Sequence, residues 1–144
     1  CVDGLYQKLE EVQGLRSPMM GAIQWNALAT ICDGNKVIVY DRRVSSSIGY
    51  EGAQAVIAHE LGHHLCNHLA ALPVDTVESY EHELEADRFA GATLRRIGFS
   101  RDTALSYLHL LVDQPSLSHP RKGEREAALL GGWDDPNSGL DCRS

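Results

Sequence analysis

Apolar residues recur at helical spacing over Asp3 to Gly14, where Leu5, Leu9 and Val12 share a face between a capping Asp3 and a terminating Gly14. The pattern then becomes β-like. An apolar run from Ala22 to Cys32 and a second at Val37 to Tyr40 flank Asp33-Gly34-Asn35, which predicts a hairpin. Ser45 to Ser47 and Gly49 predict a loop. A long helix is expected from about Glu51 to Leu72, stopped by Pro73, and another from about Thr76 to Ile97, broken by Gly98. Ser100 or Asp102 would cap a further helix through Val112, carrying Leu105, Leu108 and Leu111. Pro115 and Pro120 bracket a loop, and a short helix from about Arg121 to Leu130 precedes a Gly/Pro/Asn/Asp-rich tail. The pattern specifies an α+β fold: one domain over residues 1–144, mostly helical with a small β-hairpin sheet, its core at about 24–130 and its tail at 131–144.

Composition narrows the partners. The chain has 144 residues with 13 Lys plus Arg against 20 Asp plus Glu, a formal net charge of −7 and no basic run, which argues against nucleic acid or an anionic membrane as a partner. No apolar stretch approaches the roughly 18–20 residues that a transmembrane segment needs. Cys1, Cys32, Cys66 and Cys142 form no C-x-x-C pair, so a zinc ribbon or thioredoxin-type site is not indicated, and four cysteines permit two disulfides. With Cys1 at the start, these features lead us to expect an extracytoplasmic protein, periplasmic or secreted, with lipid anchoring through Cys1 as one form. Four buried thiols in a cytoplasmic domain are the alternative.

Four of the seven histidines lie between positions 59 and 68. His59-Glu60-Leu61-Gly62-His63 is an H-E-x-x-H sequence on the predicted long helix. Residues four apart lie one turn up the same face, so both imidazoles can point at one zinc ion, with Glu60 placed to reach a water on that ion. Val56, Ile57 and Leu61 around it mark a buried helix rather than a solvated His/Glu face. Gly62 would let a neighbouring element pack close. His64 and His68, also four apart, read as a solvated face, His109 as a partly buried structural residue, and Trp25 and Trp133 as packing residues. Tyr50 and Tyr80 could reach a cleft as donors.

Catalytic zinc keeps three protein ligands, so a third is needed. On the next helix Glu83 shares a stripe with Ala86, Asp87, Ala90 and Leu94, apolar but for its two carboxylates. Glu81 sits with Glu85, Arg88 and Arg95 on a solvated face, and Glu85 itself on a mixed, half-exposed one. A buried carboxylate needs a cation or strong donors. Glu83 would satisfy that need as a zinc ligand. Asp87, one turn on, would accept the free ring N–H of a ligating histidine, with His59 the expected one. His82 is the alternative third ligand.

The sequence blocks His59-Glu60-Leu61-Gly62-His63 and Glu83-Leu84-Glu85-Ala86-Asp87-Arg88-Phe89-Ala90 resemble the HtpX and CAAX-prenyl-protease group of gluzincin metallopeptidases (peptidase family M-forty-eight), which pairs H-E-x-x-H with a downstream E-x-x-x-D helix. Ser118-His119-Pro120 with Arg125 resembles the group's H-P-x-x-x-x-R segment, and Asn26-Ala27-Leu28-Ala29 its N-A-F-A strand, with Leu28 in place of Phe. The resemblance implies a minimal zincin-like domain and zinc on His59, His63 and Glu83. The chain departs from many relatives in lacking transmembrane helices, which suggests a minimal soluble member.

The implied activity is that of a zinc metalloendopeptidase acting on a peptide or protein substrate. Glu60 would be the general base. His119 would be a transition-state donor, or a fourth zinc ligand that silences the enzyme until displaced. Arg125 would orient His119 or contact a substrate carbonyl. Asn26, Ala27 and Leu28 would belong to an exposed edge strand with which an extended peptide pairs. Two other readings compete: a regulator-cleaving protease of the ImmA/IrrE type, disfavoured by Asp87 and by His119-Pro120, and a latched or inactive zinc-stabilised binding or chaperone-like module, against which Glu60 argues.

Overall fold

The computed structural model describes residues 27–40, 43–71, 73–108 and 120–142, leaving aside the side chains of 28 and 43–48. Strands β1 (Ala27–Cys32) and β2 (Asn35–Tyr40) form an antiparallel hairpin with Cys32 opposite Asn35 and Ala27 opposite Tyr40. The two turn residues, Asp33 at φ 52° and Gly34 at φ 81°, are both left-handed, the turn that matches the twist of paired strands. Helix α1 (Arg43–Leu65) follows, then α2 (Thr76–Arg96), the short α3 (Arg101–Ser106), α4 (Lys122–Asp134) and a 3-10 helix at Pro136–Leu140. The expected mostly helical α+β architecture is what the chain adopts. The predicted helix at Asp3 to Gly14 lies outside the described residues.

Several boundaries differ from expectation for local reasons. Residues Ser45 to Ser47 are helical rather than loop, and α1 breaks only at Gly49, whose φ of 79° and ψ of 173° suit glycine alone. At its other end α1 stops at Leu65, well before Pro73, because Asn67 turns left-handed at φ 57°. The His68 N–H then bonds the His63 carbonyl at 3.0 Å and the Asn67 N–H that of His64 at 3.1 Å, which is a Schellman closure. Helix α2 ends the same way at Gly98, with Phe99 bonded back to Leu94. Its start is capped by Asp75, whose carboxylate accepts the Glu78 N–H at 2.8 Å. Ser100 caps α3, and that helix ends at Ser106 rather than Val112.

Leu94, Ala104, Leu108 and Leu129 form the core, with Phe99, Leu105 and Trp133 packed against them. Trp133 is a packing residue as expected: its Nε1 donates to the Phe99 carbonyl at 3.0 Å and the Arg95 guanidinium covers its ring. Helices α2 and α4 touch backbone to backbone. A β-carbon on Gly91 would run into the Leu129 carbonyl, and one on Gly132 into that of Arg88. The segment read as a C-terminal tail is instead packed. Helix α4 continues through Asp134, Gly139 is buried against Ala92, and Cys142 is disulfide-bonded to Cys66. Cys32 is also disulfide-bonded, and among the described residues no cysteine is free. No helix among the described residues is long and apolar enough to cross a membrane.

Candidate metal centre

The buried side of α1 is built from small residues rather than branched ones. Ala53, Ala58 and Gly62 are buried, whereas Ile57 and Leu61, expected inside, are about two-fifths exposed. Branched side chains there would hold α1 away from its neighbours, and the small ones let α2 and the hairpin close on it. On α2 the stripe of Ala86, Asp87, Ala90 and Leu94 is buried as its periodicity predicts. Packing these two faces brings His59, His63 and Glu83 together.

Three potential ligand atoms converge. His59 Nε2 lies 3.1 Å from His63 Nε2 and 2.9 Å from Glu83 Oε2, and His63 Nε2 lies 3.5 Å from the same oxygen. These three residues form a group able to hold a metal ion. Electrostatics agree that the pocket calls for positive charge. Burial opposes a charge on His59, but Asp87 and Glu83 outweigh it and push its pKa up to about 10. Burial likewise opposes ionisation of Glu83, yet the adjacent His59 and His63 imidazoles hold it well below the usual carboxylate range.

The outer ring nitrogen of each histidine is also engaged. His59 Nδ1 donates to Asp87 Oδ1 at 2.8 Å, the partnership read from the stripe. Asp87 is in turn gripped by Arg125 through two bonds, Nε to Oδ2 at 2.8 Å and a terminal N–H to Oδ1 at 2.9 Å. Arg125 therefore bears on His59 through Asp87; its expected relation to His119 lies outside the described residues. Burial disfavours the Asp87 charge, but Arg125 and His59 hold its pKa below the ordinary value.

His63 Nδ1 meets His68 Nδ1 at 2.9 Å, and His68 Nε2 meets Glu85 Oε1 at 2.9 Å. This corrects two expectations. His68 is 6 % exposed and Glu85 5 %, so neither belongs to a solvated or half-exposed face. Burial pushes His68 down to about 4, which keeps its ring neutral. His82, the alternative third ligand, is outside the His59–His63–Glu83 group; its ring stacks on His68 at 4.1 Å between centroids. His64 is buried too, and its Nε2 donates to the Val37 carbonyl at 2.7 Å while Lys36 Nζ donates to the His64 carbonyl at 2.9 Å. These bonds dock the hairpin on α1.

That docking places β1 over the motif. The Ala29 N–H donates to Glu60 Oε2 at 3.0 Å. Burial raises the Glu60 pKa above its ordinary value, against the lowering effect of His59, His63 and this N–H. The edge strand is less open than expected, since Ala27 and Ala29 are buried and the Ala29 N–H is engaged. Among the described residues β1 pairs only with β2, with Leu28 opposite Val39. Tyr50 is largely exposed. Asn26, Trp25, His109 and His119 lie outside the described residues. No family model, no curated protein and no solved structure matches this chain.

Proposed function

We propose that the chain is a zinc metalloendopeptidase of the gluzincin kind its sequence blocks resemble. The observation that carries this reading is the spacing of the three converging atoms at 2.9, 3.1 and 3.5 Å. A tetrahedral zinc with bonds of about 2.0–2.1 Å separates its ligands by ~3.3 Å. His59, His63 and Glu83 would hold zinc through two nitrogens and one oxygen at that spacing, each nitrogen on a ring with its other side hydrogen-bonded.

Zinc held by these residues would supply Lewis acidity and would bring the pKa of a water toward about 7. The chain's own residues do the rest. Glu60 takes the proton of the attacking water at its carboxylate and returns it to the leaving amine. Its burial suits this double role, because a raised pKa makes a carboxyl both a better base and a usable acid near neutrality. Asp87 with Arg125 fixes the His59 ring. β1 offers its backbone edge to an extended peptide, with Ala27 and Leu28 in the contacting segment. The disulfide between Cys66 and Cys142 supports an oxidising, extracytoplasmic setting.

The decisive experiment combines zinc analysis with cleavage of an unstructured protein by wild type, Glu60→Gln and Glu83→Ala. We expect one zinc in wild type, zinc without activity in Glu60→Gln, and loss of zinc in Glu83→Ala. Zinc lost from Glu60→Gln, or full occupancy in Glu83→Ala, overturns the assignment.

A further inference from the structure

We propose that His68 and Glu85 are positioning residues for His63, holding its ring in the tautomer and orientation that metal binding requires; the proposal rests on the metal-centre reading above. The geometry begins in the backbone. In a Schellman closure the residue two past the helix cap folds back over the third residue from the end. Here those two positions are His68 and His63, so a contact that is ordinarily apolar is made by two imidazoles.

The direction of the relay follows from its end. Glu85 Oε1 accepts, so His68 Nε2 carries the proton and donates to it at 2.9 Å. His68 Nδ1 is then a lone pair, and His63 Nδ1 must donate to it at 2.9 Å. That leaves the His63 Nε2 lone pair facing His59 Nε2 and Glu83 Oε2. The His68 ring is fixed from a third side by the parallel ring of His82, with 7° between their planes. His63 thus has a buried two-step support on α2, as His59 has Asp87. The chain holds both histidines from the outside, one through a carboxylate directly and one through a neutral imidazole.

The test is zinc affinity of the full disulfide-bonded chain, read by competition with a chromophoric chelator, together with the visible absorption of the cobalt-substituted protein. His68→Leu and Glu85→Leu, each without an acceptor, should weaken zinc by about 10–100-fold and shift the cobalt bands. His68→Asn and Glu85→Gln, whose side-chain oxygens can occupy the acceptor positions, should recover most of the affinity. Glu81→Gln, on the exposed side of α2, should change nothing. Wild-type affinity and an unaltered cobalt spectrum in both His68→Leu and Glu85→Leu would overturn the proposal. If one of the two fails to fold, the other decides. Zinc binding that is equally weak in wild type and His59→Ala would instead overturn the metal-centre reading, and the relay with it.

Discussion

Gly62 rests on the backbone of Ala86: a β-carbon at position 62 would stand 2.9 Å from the Ala86 Cα and 3.0 Å from its carbonyl oxygen. The contact lies between His59 and His63 on one helix and beside Asp87 on the other, so it sets the helix separation on which the candidate site depends. Gly62→Ala should therefore cost about 1–3 kcal/mol and weaken zinc binding together. Gly131→Ala is the matched control. That glycine is exposed on α4 with nothing near its missing β-carbon, and the change should stabilise by about 0.5–1 kcal/mol. Thermal melts and chelator competition on both variants check the pair. Unchanged melting and affinity in Gly62→Ala would show that α1 and α2 can separate freely.

Arg125 and Asp87 form a buried ion pair with 1 % exposure on the aspartate. Removing only the cation leaves a buried carboxylate with much less compensation, so Arg125→Met should destabilise the metal-free chain by about 3–5 kcal/mol. The pair also has a pH signature. Burial opposes the Asp87 charge, but Arg125 and His59 depress its folded pKa. Its stabilisation is therefore present above the unfolded value of ~3.9 and is lost as pH falls through the lower folded one. Denaturation of wild type and Arg125→Met across that acid range should show a steeper loss in wild type. Parallel curves would mean the pair contributes no linkage.

Much of this centre was legible because its signals are local. H-E-x-x-H is one turn of helix, and the Glu83–Asp87 stripe is a periodicity that packing then buried. Asp33-Gly34 fixed the hairpin for the same reason, since its left-handed turn residues are a property of two adjacent positions. The relay through His68 and Glu85 was not legible. Its pairing crosses two helices, and its geometry depends on α1 ending at Asn67 rather than running on to Pro73. Asn is the non-glycine residue that best tolerates a left-handed cap, and that was the available signal. The Arg125–Asp87 pair was not legible because it joins α4 to α2, elements distant in sequence that meet only through packing. The inward face of α1 was misjudged because hydrophobicity favours Ile57 and Leu61, while close helix packing favours Ala58 and Gly62.

The Cys66–Cys142 disulfide closes a separation of 76 residues and joins the cap of α1 to the segment beyond α4. Loop-closure entropy at that length amounts to about 4 kcal/mol. The double variant Cys66→Ala/Cys142→Ala should melt well below wild type. Because Cys66 precedes the turn that presents His68, the variant should also bind zinc more weakly in the chelator assay. Melting and affinity equal to wild type would show that the turn holds without its crosslink.

For His119 the two roles forecast opposite results. As a transition-state donor, its removal in His119→Ala should lower kcat by about 10²–10³ with little change in KM. As a removable fourth ligand, its removal should raise activity, because catalysis needs that position open. We expect the fall, and turnover equal to wild type on an unstructured peptide would exclude both roles.

Ala29 and Glu60 supply the prediction most specific to this fold. The Ala29 N–H donates to the Glu60 carboxylate and favours its charged form, while burial disfavours it. Ala29→Pro deletes that donor. It should spare the hairpin ladder, because the N–H points to Glu60 rather than to β2. Without the donor the Glu60 pKa must rise further, since the group that favoured its ionised form is gone. A general base is active when deprotonated, so the acidic limb of the kcat/KM profile should move to higher pH. Zinc content and far-UV circular dichroism should stay at wild-type values, which separates the effect from unfolding. An acidic limb that stays in place, or moves to lower pH, would mean that the Glu60 charge state does not govern turnover.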